Sequence, residues 1–197
     1  AAKFYHAMFE DKISPRGTPI NQLGASFAAG EIAFFVGGPW NIGPFDAAKD
    51  LDYGVALVPY HAGGKPFTPT DSWTIGISPH SAHKAEAKAF AEFITLNAQG
   101  TRLTTVYTPY IVVNSEAFAQ YIDSFAGKLK PEVGPAVRAV ITHELANTTV
   151  SRPRSDGYMA FEQVMNTAFS DIRNGADPKA SLDKAQAQLK STLSRIR

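Results

Sequence analysis

The sequence predicts a helix-rich α/β fold, and three observations carry that expectation. Apolar residues recur at spacings of three and four over several long segments, which is the helical period. Three short apolar runs, Ile32-Ala33-Phe34-Phe35-Val36, Tyr53-Gly54-Val55-Ala56-Leu57-Val58 and Thr74-Ile75-Gly76-Ile77-Ser78, are bounded by glycine or proline and read as strands. Helix and strand signals also interleave along the 197 residues, so the sum is three or four strands among six to eight helices.

Ala1, Phe4, Tyr5, Met8 and Phe9 form a helical stripe already in progress at residue 1, with no capping residue before it. The expectation is a chain that begins inside a helix, as a portion of a longer protein. Ser14 to Pro19 is a loop, and Asn21 to Ala29 is a short helix with Gly30 at its C′ position. Five consecutive apolar residues at 32–36 predict a strand buried on both faces. Gly37-Gly38-Pro39-Trp40 then turns the chain and places Trp40 at the carboxyl end of that strand, where open α/β sheets bind ligands. A tryptophan there is more often a core or rim packing residue than a ligand platform.

Residues 53–58 form the second predicted strand, stopped by Pro59. His61 to Pro66 is a turn, and Thr68 to Ser72 is a polar loop ending at Trp73. The third predicted strand, 74–78, is closed by Pro79. From Ser81, an N-cap, to Ala98 a helix has a broad apolar face of Ala82, Ala85, Ala89, Phe90, Phe93, Ile94 and Leu96, ended by Gly100. A further helix begins near Thr101 and breaks before Pro109, and Tyr110 to Val113 is extended. Ser115–Phe125 and Pro131–Asn147 are helices separated by Gly127, and Ser151 to Ser155 is a loop. Tyr158, Phe161, Met165, Ala168 and Ile172 mark the next helix, closed by Gly175. Asp177-Pro178 is an N-cap with proline at N1, opening a last helix with the stripe Leu182, Ala185, Leu189, Leu193 and Ile196.

Composition excludes several classes of function. A formal net charge of +1, with basic residues scattered among acidic ones, leaves no nucleic-acid footprint. The one basic cluster, Lys190 to Arg197, suits a helix C-terminus. No run approaches the roughly eighteen apolar residues that span a bilayer. Absence of cysteine removes disulfides and thiolate metal sites. No cofactor is expected, because the sequence has neither GxxxxGK[ST] nor GxGxxG.

Metal binding is not expected either. His80-Ser81-Ala82-His83 lacks a neighbouring carboxylate, and His143-Glu144-Leu145-Ala146-Asn147 has asparagine where a zinc-protease helix needs its second ligand. Gly24-Ala25-Ser26-Phe27-Ala28 is half of a nucleophile elbow and falls inside a predicted helix. The serious enzymatic alternative is a carbohydrate-active hydrolase fragment with Asp71 and Glu162 as its carboxyl pair.

Four landmarks in order carry a family resemblance. Phe27-Ala28-Ala29-Gly30-Glu31-Ile32-Ala33 leads to Gly38-Pro39-Trp40, and Tyr53-Gly54-Val55 leads to Pro59. Ser72-Trp73-Thr74-Ile75-Gly76-Ile77-Ser78 is followed by the Lys84–Phe93 helix, and Ser151-Arg152-Pro153 by Tyr158. Together they resemble the C-terminal half of the extracellular solute-binding proteins of carbohydrate ABC transporters, the maltose/trehalose-binding type.

That resemblance implies a periplasmic-binding-protein-like fold of two α/β lobes closing on a ligand. Residues 1–72 and 114–197 would form the C-terminal lobe, and residues 73–113 would belong to the N-terminal lobe. It implies a non-enzymatic, periplasmic or extracellular component of an importer, partnered by ABC permease transmembrane subunits and binding a small-molecule carbohydrate. Trp40 would stack on a sugar ring, and Asp71, Ser72, Arg152 and Glu162 would hold hydroxyls. Trp73 and Tyr158, from the same landmarks, complete the set.

Where maltose-binding members carry an aromatic pair after "R-P … Y", this chain has Glu162 and Gln163, which points to a smaller or different sugar or a polyol. Plainer roles are open to the same residues: Asp71 as a turn cap, Arg152 in a structural ion pair, Glu162 on a solvated helix face. Unpaired strand edges and apolar faces further imply a companion N-terminal fragment or a strand-exchanged homodimer, swapped near residues 71–74 and 112–115.

Overall fold

The computed structural model describes residues 1–71, 73–105, 111–152 and 155–195. The predicted break before Pro109, the start of the extended segment at Tyr110, and the positions Ser72, Pro153 and Ile196 lie outside the described residues. The chain divides into two compact units, one made of Ala1–Ile20 with Pro153–Arg197, the other of Asn21–Arg152.

The first unit is built from three helices, α1 (Ala2–Glu10), α8 (Tyr158–Arg173) and α9 (Pro178–Leu193). Its core consists of Val164, Ala168 and Ala185, with Met165 and Leu189 packed against them. Ile172 is fully buried, and on α1 Phe9 is buried while the Tyr5 ring sits edge-on to Phe169 at 5.2 Å. The buried row on α8 is therefore Val164, Ala168 and Ile172, four apart. Phe161 and Phe4, expected in their stripes, are exposed instead. Asp177 caps α9 as expected, its Oδ1 accepting the Ala180 N–H at 2.8 Å.

The second unit holds α2 (Leu23–Ala28), α3 (Ile42–Ala47), β1 (Thr68–Thr70), α4 (Lys84–Thr95), α5 (Ala98–Thr104), α6 (Ser115–Ala126), α7 (Gly134–Asn147) and β2 (Thr149–Ser151). Short 3-10 turns at Ile20–Gln22 and Pro39–Asn41 precede α2 and α3. Its core gathers Ile42, Phe45, Tyr53, Tyr121, Ile122, Val133, Val137 and Ile141. Around Phe45 the rings of Phe27, Phe35 and Tyr53 stand at 4.8, 5.6 and 6.0 Å, separations at which tilted and edge-on pairs are attractive. The Lys130 N–H donates to both Asp46 carboxylate oxygens, at 3.1 and 3.2 Å, and the Lys130 ammonium donates to the Leu51 carbonyl at 2.9 Å. These bonds tie the start of the 51–58 segment to the loop before α7.

None of the three predicted strands forms. Segments 32–36, 53–58 and 74–78 carry no ladder among the described residues, and Phe34 is 92% exposed where burial on both faces was expected. A strand exists through its neighbour's backbone groups, and an apolar run cannot supply that neighbour itself. The pairing that does form is a two-stranded parallel sheet, Thr68 against Thr149 through Thr70 against Ser151, in segments whose composition reads as loop.

The helix expected to run to Ala98 ends at Thr95. Asn97 caps a new helix by accepting the Gly100 N–H at 3.0 Å, and Gly100 lies inside α5 rather than ending α4. The apolar face of α4 is uncovered, with Phe90 and Leu96 exposed. Gly30 and Gly175 do close their helices with positive φ, as expected. Trp40, expected in a turn, is the middle residue of the 3-10 turn Pro39–Asn41 that leads into α3, a helix absent from the sequence reading.

Burial raises the Tyr121 phenol from its ordinary value to about 12. The Tyr53 hydroxyl is also raised, first by burial and then by the Asp46 carboxylate to which it donates at 3.3 Å. Both groups release protons more readily when unfolded, so their contribution is complete below pH 10 and is lost as pH climbs from 10 towards 12. Tyr121 alone accounts for about 2–3 kcal/mol over that window. Thermal denaturation at stepped pH should show the melting temperature falling between pH 10 and 12, with Tyr121→Phe flattening the slope.

Candidate functional site

The parallel register positions the site. One rung beyond Thr70 and Ser151, at the carboxyl ends of β1 and β2, stand Asp71 and Arg152, and the Arg152 Nε is ion-paired with Asp71 Oδ2. Both side chains are about half exposed, so the pair remains open to solvent and adds little to stability. Two positions after Asp71, Trp73 is 81% exposed.

Beneath the pair lies a polar latch. Glu144, in the last turns of α7, is buried, and its Oε1 accepts the Val58 N–H at 2.8 Å while Oε2 accepts the Thr68 hydroxyl. The Thr68 and Thr148 hydroxyls are 2.8 Å apart, and the Thr68 N–H donates to the Thr148 carbonyl at 2.9 Å. Three separate stretches are thereby joined at the base of the sheet. Sequence reasoning weighed Glu144 only within a failed zinc motif. The usable signal was its position in the row Val137, Ile141, Glu144 at spacings of four and three, a carboxylate on the buried face of a helix.

Trp40 owes its place to Gly37-Gly38-Pro39. Pro39 opens the 3-10 turn, Gly38 donates its N–H to Asn41 Oδ1 at 3.3 Å, and the indole folds back over Gly38, where a Cβ would overlap the ring carbons. Trp40 as a whole is 50% exposed. Tyr158 and Glu162 begin α8, one turn apart on one helix face and both half-buried, with the Tyr158 ring 6.1 Å from Phe161.

Of the residues singled out from the sequence, Asp71 and Arg152 are brought together. Trp40 and Trp73 belong to the same unit, Tyr158 and Glu162 belong to the other, and Ser72 lies outside the described residues. Among the described residues no cluster of His, Asp and Glu could hold a metal ion, and no helix is long and apolar enough to cross a membrane.

Residues 1–101 match the family model of the bacterial extracellular solute-binding proteins. The matched stretch contains Trp40, Asp71 and Trp73, while Arg152, Tyr158 and Glu162 fall beyond it. Matched over just over half of its length, this chain belongs to the family of bacterial extracellular solute-binding proteins, which bind a solute outside the cytoplasm and serve its transport.

Proposed function

We propose that the solute is a sugar or polyol and that the chain contributes part of its binding cleft in a carbohydrate ABC importer of the maltose/trehalose-binding type. The observation that supports this best is the Asp71–Arg152 pair at the carboxyl ends of two parallel strands, half exposed and followed by the open Trp73 ring. A carboxylate and a guanidinium side by side offer acceptors and donors together, which is what a vicinal pair of hydroxyls requires.

The half-exposed Trp40 indole has the area and quadrupole to lie against the C–H face of a pyranose. Ser72, Tyr158 and Glu162 are the remaining ligand-binding candidates that the family resemblance offers. Permease transmembrane subunits are the partners that receive the ligand, and a companion N-terminal fragment or a second, strand-exchanged copy covers the unpaired segments. In this reading residues 73–113 belong to the N-terminal lobe and the flanking segments, 1–72 and 114–197, to the C-terminal lobe.

Tryptophan fluorescence during titration with mono- and disaccharides and polyols, run beside a chromogenic glycoside assay, tests the reading. Saturable quenching without turnover is expected. Turnover that disappears in Asp71→Asn would instead make the chain a hydrolase fragment using Asp71 and Glu162.

A further inference from the structure

We infer that Glu144 is a positioning residue for the Asp71–Arg152 pair, acting through the hydroxyls of Thr68 and Thr148. The inference rests on the proposed binding role of that pair, but its mechanism is local. A carboxylate only accepts, so the Thr68 hydroxyl donates to Glu144 Oε2, and the Thr148 hydroxyl then shares its one proton between Thr68 Oγ1 at 2.8 Å and the Glu144 backbone carbonyl at 3.2 Å. These bonds link the last turns of α7 to Thr68, the first residue of β1, and to Thr148, the residue before β2. The rung at Thr70 and Ser151 and the ion pair beyond it follow from that register. A one-residue slip would send Asp71 and Arg152 to opposite faces. The Val58 N–H on Oε1 fixes the carboxylate's own orientation.

Glutamine at 144 can preserve the latch with its polarity reversed. Its carbonyl still accepts from Val58, its amide donates to the Thr68 hydroxyl, and the Thr68 hydroxyl donates to Thr148. Alanine cannot do this. The readout is the Arg152 Nε–H resonance in a nitrogen–proton correlation spectrum of the whole chain, assigned by its loss in Arg152→Lys. In the parent chain Asp71→Asn should shift that resonance, and the shift should persist in Glu144→Gln but vanish in Glu144→Ala. Thr68→Val, which keeps side-chain shape and cuts the chain of hydroxyls, should also abolish it. Thr68→Val decides the matter if the alanine variant does not fold. Persistence of the Asp71-dependent shift in Thr68→Val and Glu144→Ala would overturn the inference. So would its loss in Glu144→Gln, which would make charge, rather than hydrogen bonding, the active property. No sugar enters this measurement, so a failed sugar titration leaves its outcome intact.

Discussion

Purified by itself, the chain is expected to scatter light as a dimer or larger species. The area it exposes is the reason. It presents 14184 Å2 to solvent, whereas two compact units of the observed lengths would together expose roughly 11,000 Å2. The surplus, roughly 3,000 Å2, exceeds the ~800 Å2 per partner of an ordinary stable interface several times over. It is also apolar where it matters. Phe34 and Val36 on one unladdered segment, Ile75 and Ile77 on another, and Phe90, Phe93 and Leu96 along α4 are all exposed. Segments with unpaired backbone groups and such side chains seek strands to pair with. A net charge of +1 supplies almost no repulsion to prevent it. A monodisperse species with the mass of one chain, and no second polypeptide present, would refute the expectation.

Gly100→Ala is expected to destabilise the second unit by about 2–3 kcal/mol, although alanine is the better helix former by ~1 kcal/mol. Gly100 is buried in the first turn of α5, and a Cβ there would overlap the Phe93 carbonyl oxygen of α4. That oxygen belongs to backbone, so no side-chain rotation relieves the overlap and the two helices must separate. The connection between them is short and already committed. The Asn97 side chain caps α5, and the Leu96 carbonyl accepts the Asn114 amide at 2.8 Å. Thermal denaturation should show a loss of roughly 5–10 °C, with Gln99→Ala, one exposed position away, close to neutral. An unchanged or raised melting temperature for Gly100→Ala would mean that α4 and α5 are not held as described.

What could be read from the sequence follows the range of the interactions involved. The Asp177-Pro178 start of α9 and the glycine ends after α2 and α8 are settled by chemistry within a few residues, and they were legible. The β1–β2 sheet pairs Thr-Pro-Thr with Thr-Val-Ser across some eighty positions, and neither segment has the apolar pattern of a strand. Its register, and with it the meeting of Asp71 and Arg152, was out of reach although both residues had been singled out. Ile32 to Val36 misled in the opposite direction, since an apolar run reports a need for burial without naming what buries it. For Trp40 the glycines and proline announced a turn. The return of the indole over Gly38 depends on the 3-10 geometry and could be seen only in three dimensions. Glu144 was visible as a polar intruder in an apolar row, but its three hydrogen-bonded segments were not.

Carbohydrate binding is tested most directly by calorimetric titration of a panel of monosaccharides, disaccharides and polyols into the protein, with Trp40→Ala as the comparison. Saturable heat for at least one member, reduced tenfold or more in affinity by the substitution, is the predicted result. Absence of binding across the panel, or an affinity indifferent to Trp40→Ala, would contradict it.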